Sequence, residues 1–242
     1  MPRGALPVVL LLLLGATTTS ALAANGGTPV GTREVVGCSS GSGPAVAGGP
    51  PGSDAVALTF DDGPSTTYTP EILAILDRLG AKATFFEEGH HVAGREALMR
   101  RILASGDEIG NHSFNHPRDP GYGQLASTNR LIHAATGFTP CLFRPPYGLV
   151  DSKLEGAARR ANLQTVLWSV DSGDDRHPGA AAIRARVLAL AGPGAIVLMH
   201  DGGHHPQTVA ALPRIVAGLR ARGLRLETVT ELLGGRFLFS RR

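Results

Sequence analysis

Residues 56–64 read VALTFDDGP: an apolar run from Val56 to Phe60 that ends on two adjacent carboxylates, Asp61 and Asp62, and then on a Gly63-Pro64 pair. A short apolar run bounded by turn residues is the pattern of a buried strand. The pattern recurs along the chain, at Ala83–Phe86, Glu108–Asn111, Cys141–Arg144, Thr165–Val170, Ala195–Met199 and Arg225–Val229. Between these runs lie stretches of helical pattern, namely Pro70–Leu79, Glu96–Ala104, Leu125–Thr136, Lys153–Ala161, Ala180–Leu190 and Thr208–Arg222. In the first of them Ile72, Leu73, Leu76 and Leu79 make one core-facing stripe. Strands that alternate with helices predict a parallel sheet. The polar clusters stand just after the strands: Asp61-Asp62, His112, Arg144, Asp171 and His200-Asp201. In barrels of parallel strands the loops after the strands' carboxyl ends build the active site, so five dispersed segments are expected at one mouth.

The amino terminus carries Arg3, an apolar run from Leu6 to Leu14 and the small-residue site Ala21-Leu22-Ala23. That layout predicts a cleavable secretory signal over 1–23. The run is shorter than the ~20 apolar residues of a membrane-spanning helix. Removal of the signal would leave a secreted chain, extracellular or associated with the cell wall, with no stable membrane insertion. Residues 24–53, which include GCSSGSGPAVAGGPPGS, lack hydrophobic periodicity and read as a flexible linker. Residues 54–242 are then expected to form one domain, read as a monomer. The formal net charge of +3 comes without any block of cations, which excludes a nucleic-acid footprint. The two cysteines, Cys38 and Cys141, could pair in an oxidising exterior, and no Cys-x-x-Cys spacing marks them as metal ligands.

Each strand-end cluster has a bland reading beside a chemical one. DDGP is also a good turn sequence. In HSFNH, His112 and His116 share a face if the loop enters a helical turn; with Asp62 they would make a His-His-carboxylate site with open positions, the pattern of a catalytic zinc centre. In RPPYG the paired prolines stiffen the chain beside Arg144, whose planar fork of donors can hold a carboxylate. WSVDSGDD and IVLMHD add further carboxylates and His200, which a carboxylate could orient as a proton donor.

Together, TFDDGP, HSFNH, RPPYG, WSVDSGD and IVLMHD, supported by ATFF and the TVTELL tail, resemble the polysaccharide deacetylase family, carbohydrate esterase family four, in content and in order from about Ala55 to Leu233. The resemblance implies a distorted (β/α) barrel with about seven parallel strands. It implies removal of acetyl groups from an N-acetylated polysaccharide, peptidoglycan or chitin-like. Asp62, His112 and His116 would bind a divalent metal, zinc first, with cobalt, nickel or manganese as alternatives. Asp61 would be the general base, His200 the acid that protonates the departing amine, and the Tyr147 backbone N–H an oxyanion donor. Arg144 would pair with the base and Asp171 would orient the acid, while Pro146 and Leu198 would line the substrate site.

The match has departures. Where the family's fourth motif usually closes with tryptophan, this chain has Asp175, and Glu87-Glu88 follow ATFF where apolar residues are common. Glu87 and Glu88 read as solvated loop charges. The doublets His90-His91 and His204-His205, with His133 and His177, read as loop or structural histidines rather than as ligands. Two rival functions stand beside the main one: an O-deacetylase of acetylated xylan, and a non-catalytic glycan-binding relative.

Overall fold

The computed structural model describes residues 1, 2, 4, 43–235 and 237. The expected signal run Leu6–Leu14, residues 24–42 of the linker, and Cys38 with its possible bridge to Cys141 lie outside the described residues.

Strand β1 (Ala55–Gly63) is buried on both faces almost throughout, as its unbroken apolar run requires. After it come α1 (Tyr68–Leu79), β2 (Ala83–Glu87), α2 (Gly89–Val92), α3 (Glu96–Ala104), β3 (Glu108–Asn111) and α4 (Tyr122–Thr136). The second half holds β4 (Leu142–Phe143), α5 (Ser152–Arg160), β5 (Gln164–Thr165), β6 (Val170–Asp171), α6 (Ala180–Leu190), β7 (Ile196–His200), α7 (Pro206–Ala221), β8 (Arg225–Leu226) and α8 (Val229–Leu232). The sheet runs β5-β4-β3-β2-β1-β7-β6, with β8 beside the start of β1. Every named pair is parallel. This is the parallel sheet that the alternation of strands and helices predicts, curled into the distorted (β/α) barrel that the family resemblance implies.

One predicted strand is divided. Thr165–Val170 supplies β5 and β6, which pair with opposite edges of the sheet. At ~3.3–3.6 Å per residue, so short a link holds the two edges within about 18 Å, and the sheet must curl. Val46 stands in the seam: its N–H donates to the Thr165 carbonyl at 3.0 Å, and Leu167 N–H donates to the Val46 carbonyl at 2.7 Å. Gly49 N–H reaches the Gly194 carbonyl at 2.8 Å, and the Pro44 carbonyl accepts from Gln164 Nε2 at 2.8 Å. Residues 44–49 therefore belong to the barrel, not to the linker expected through residue 53. Sheet edges need backbone partners, and small residues let this segment supply them.

Helices α2 and α8 were not anticipated, because four residues are too few to display a period. Thr228 and Glu231 cap α8 reciprocally. Buried Glu108 on β3 accepts from Thr230 N–H at 3.0 Å and Thr84 Oγ1 at 3.1 Å, tying α8 under the barrel. Phe60 and Phe85 stack at 5.2 Å within the core, where each fully buried large apolar side chain contributes roughly 1.5–3 kcal/mol. No helix among the described residues is long and apolar enough to cross a membrane.

Candidate active site

Adjacent residues on a regular strand point to opposite faces, so Asp61 and Asp62 should diverge. They do not. Asp61 pairs with Phe86 and Gly63 with Glu87, which leaves Asp62 as the extra residue of a bulge, at φ 73°. A bulge re-aims a side chain in this way, and aspartate tolerates the left-handed region better than most residues. Gly202 permits the arrangement from above, since a Cβ there would lie 2.2 Å from the Asp62 carbonyl oxygen.

His112 and His116 also converge on Asp62, though not through the expected helical turn. Residues 112–116 form a loop in which Ser113 and His116 have φ 67° and 55°. Asn111 Oδ1 accepts from Ser113 N–H at 2.8 Å, Ser113 Oγ from His116 N–H at 3.1 Å, and Gln124 Oε1 from Phe114 N–H at 2.9 Å. The outcome puts His112 Nε2 and His116 Nε2 at 3.3 and 3.6 Å from Asp62 Oδ1. His112 Nδ1 rests on the Arg144 carbonyl at 2.7 Å, the backbone anchor that orients a ligating imidazole.

These three residues suit a divalent cation. Asp62 Oδ1 is buried without a hydrogen-bond partner although two imidazoles face it, and ligand atoms of all three residues lie within 4.8 Å of one another. Burial alone would raise the Asp62 carboxyl, but His112, with His200 and His116 behind it, holds it well below the usual carboxylate range. Burial and then the charge of His112 pull His116 below its ordinary value. An ionised Asp62 and a neutral His116 are forms that bind metal; burial would lower His112 too, but Asp61 and Asp62 raise it, so it must shed a proton to ligate.

Arg144 is fully buried. Its NH1 donates to Asp61 Oδ1 at 2.8 Å and to Thr59 Oγ1 at 2.6 Å, NH2 to the Leu167 carbonyl at 3.1 Å, and the guanidinium lies 4.2 Å from the Phe86 ring centre. Asp61 Oδ2 is left facing the Asp62-His112-His116 cluster, 3.8 Å from His112 Nε2. The expected pairing of Arg144 with Asp61 is thus present, and Thr59 is a further partner that the sequence did not flag.

His200 is the cross-strand neighbour of Asp61. The carboxylate that orients it is Asp174, not Asp171. Asp174 Oδ1 meets His200 Nδ1 at 2.8 Å, while Asp174 Oδ2 accepts from His200 N–H at 2.9 Å and Thr208 Oγ1 at 2.7 Å. Asp171 instead caps its own loop, accepting from Gly173 N–H at 2.7 Å and lying 3.5 Å from Arg176. Gly173, at φ 69°, turns the chain so that the later carboxylate returns beneath His200. Burial would lower the His200 pKa, but Asp174 together with Asp61 and Asp62 pushes it up to about 9.

The remaining positions divide. Tyr147 has φ 59° and sets its exposed ring edge-on to His116 at 4.5 Å between centres. Pro146 and Leu198 are buried, Leu198 opposite Thr59 in register. Asp175 is half exposed and 3.7 Å from Arg176. His205 stacks on His200 at 5.4 Å and His177 stands 5.5 Å from His205, so two histidines read as structural or loop residues flank the acid.

Glu87 and Glu88 are buried, not solvated. A Cβ on Gly63 would lie 2.5 Å from both Glu87 Oε2 and Asp201 Oδ2, so the two carboxylates face each other across that glycine, with Glu87 Oε1 and Oε2 and Asp201 Oδ1 unpartnered. Burial, then mutual repulsion, drives Glu87 well above the carboxylate range; burial foremost, with Asp62 and Asp61, raises Asp201 to about 7. A carboxyl whose folded pKa is raised favours the fold while protonated, and that contribution is lost as pH rises from the ordinary carboxyl range through the folded value. Wild-type melting temperature should therefore fall between about pH 5 and 8, and Glu87→Gln should flatten the fall. Equal slopes in thermal melts of the two proteins would contradict a raised Glu87 pKa.

A family model described as polysaccharide deacetylase matches residues 48–166. The chain is 41% identical over 186 residues to a peptidoglycan-N-acetylglucosamine deacetylase of Bacillus cereus, covering 74% of this chain and 87% of that protein. It is 36% identical to a chitooligosaccharide deacetylase of Sinorhizobium fredii, covering 74% and 92% of the two. Among solved structures, a CE4 family pseudoenzyme from Bacillus anthracis superposes with a TM-score of 0.74 at 34% identity, covering 78% of this chain and 69% of that one.

Proposed function

The chain belongs to the polysaccharide deacetylase family, and on that premise we propose that it hydrolyses the acetamide of N-acetylglucosamine residues in a cell-wall polysaccharide, peptidoglycan first, with zinc as the metal. Because a pseudoenzyme shares the fold, the side chains and not the fold must carry this reading. The observation that carries it is the joint presence, around one bulge, of Arg144-held Asp61, the Asp62-His112-His116 triad and Asp174-held His200. Two imidazoles and a carboxylate form a donor set that zinc takes in hydrolases. When bound there, the cation lowers the pKa of a water towards ~7 and polarises the acetamide carbonyl.

The chain's own groups do the rest. Arg144 occupies Asp61 Oδ1, which turns Oδ2 towards the cluster as the atom that accepts a proton from the attacking water. Tyr147, fixed in the left-handed region between Pro146 and Gly148, offers its backbone N–H to the oxygen that gains charge. His200 gives its Nε2 proton to the departing amine, with Nδ1 held by Asp174. An amine leaves poorly without that proton, and such acids contribute about 10²–10⁴-fold. A substrate outside the cytoplasm agrees with the export signal expected over residues 1–23.

Incubation of the zinc-loaded chain with peptidoglycan, N-acetylglucosamine oligomers and acetylated xylan, with released acetate as the readout, tests the substrate class. Release from the N-acetylated glycans, peptidoglycan foremost, is expected; release from xylan alone would overturn the reading. The acid has its own test. His200 must be protonated to work, so activity should fall as pH rises through about 9. Asp174→Asn should move that fall to lower pH and cut turnover about 10–100-fold, whereas Asp171→Asn should leave it in place. The opposite order would return the orienting role to Asp171.

A further inference from the structure

Helix α2 carries a cluster outside the site described above: Glu88, His90 and His91, with one ligand atom of each within 4.8 Å of the others. Both imidazoles are anchored as His112 is, through Nδ1 on a backbone carbonyl. His90 Nδ1 lies 2.8 Å from the Phe114 carbonyl and His91 Nδ1 lies 3.1 Å from the Asp62 carbonyl. A carbonyl can only accept, so each Nδ1 carries the proton and each Nε2 keeps a bare lone pair, the tautomer of a histidine ready to ligate. The rings stand 3.9 Å apart; Glu88, nearly buried while His90 remains open to solvent, has Oε2 3.2 Å from the same His90 Nδ1–H that faces Phe114, so an ion is bound only when the carboxylate turns from that proton to join the two Nε2 atoms.

We propose that Glu88, His90 and His91 form a second, weaker site for a divalent transition-metal ion. Two imidazoles and one carboxylate favour zinc, nickel, cobalt or copper over the oxygen-seeking magnesium and calcium. Placement gives the site a consequence. Glu88 N–H donates to the Gly63 carbonyl at 2.9 Å, while Gly89 and His90 N–H donate to the Ser113 and Phe114 carbonyls at 3.0 and 2.9 Å. The segment thus bridges the bulge that carries Asp62 and the loop that carries His112 and His116. An ion on α2 would clamp both supports of the first centre without sharing a ligand with it.

Zinc titration of the metal-free full chain, by equilibrium dialysis with metal analysis, decides the matter independently of any activity. The wild type should hold two ions per chain, the second bound at least tenfold more weakly. The His90→Ala/His91→Ala double variant should hold one, and so should Glu88→Gln, which preserves the side chain's shape. His116→Ala should weaken the tighter ion while the α2 ion remains. One ion in the wild type, or two in both the double variant and Glu88→Gln, would overturn the proposal.

Discussion

Asp61→Asn is expected to lower turnover about 10²–10⁴-fold and to leave the metal content unchanged. The asparagine keeps the shape of the side chain and can still accept from Arg144 NH1 through its carbonyl oxygen, so the buried packing around Thr59, Asp61 and Arg144 is retained. What it loses is the second carboxylate oxygen, the one that faces the cluster and has no role in holding Arg144. His116→Ala gives the complementary result, because it removes a group that faces Asp62 and leaves Asp61 untouched: metal is lost together with activity. Metal analysis alongside an acetate assay separates the two variants. Equal metal loss in both would refute the division of the Asp61-Asp62 pair into base and ligand.

Arg144→Met carries the largest expected cost in stability. The guanidinium is fully buried and satisfies Asp61, Thr59 and the Leu167 carbonyl at once. Methionine can replace its apolar stem, but neither its donors nor the cation over the Phe86 ring. Removing one partner of a buried ion pair leaves the other charge uncompensated and costs about 3–5 kcal/mol. Combining the change with Asp61→Asn removes that stranded charge, so the double variant should recover part of the loss. Urea unfolding of the wild type, both single variants and the double variant reads the coupling. Strictly additive losses would mean that Arg144 stabilises the barrel through its stem and backbone contacts, and not through Asp61.

Much of the barrel was legible in the sequence, because the long strands are mostly apolar runs and helices such as α1 show a stripe, though α6 shows almost none. The seam was not. Nothing in Thr165–Val170 announces that its two ends serve opposite sheet edges, and residues 44–49 look like linker because backbone pairing needs no apolar side chain. The same holds at the site. The residue types at the strand ends placed Asp61, Asp62, His112, His116, Arg144 and His200 in one mouth, and the structure brings them there. Orientation depended on backbone features that sequence motifs conceal: the bulge at Asp62, the left-handed turns at Ser113 and His116, and Gly173, whose turn gives Asp174 the place expected for Asp171. The tandem Asp174-Asp175 after that glycine was the available signal, echoing Asp61-Asp62. Thr208 and Gly202 carry no motif at all, and their roles follow only from contact with Asp174 and Asp62.

Glu87 illustrates the reverse difficulty. A glutamate after an apolar run reads as a loop charge, since buried carboxylates are rare unless paired. Here the carboxyl lies in the interior facing Asp201 across Gly63, directly behind the bulge.

On the proposed function, one metal-dependent centre built on the β1 bulge releases acetate from N-acetylglucosamine units. Acetate release from peptidoglycan by the full chain, measured as isolated, after chelation and dialysis, and after zinc is restored, tests it most directly. Activity that disappears on chelation and returns with zinc is the predicted result. Acetate release that survives complete removal of metal, or none from any N-acetylated glycan with zinc bound, would contradict it.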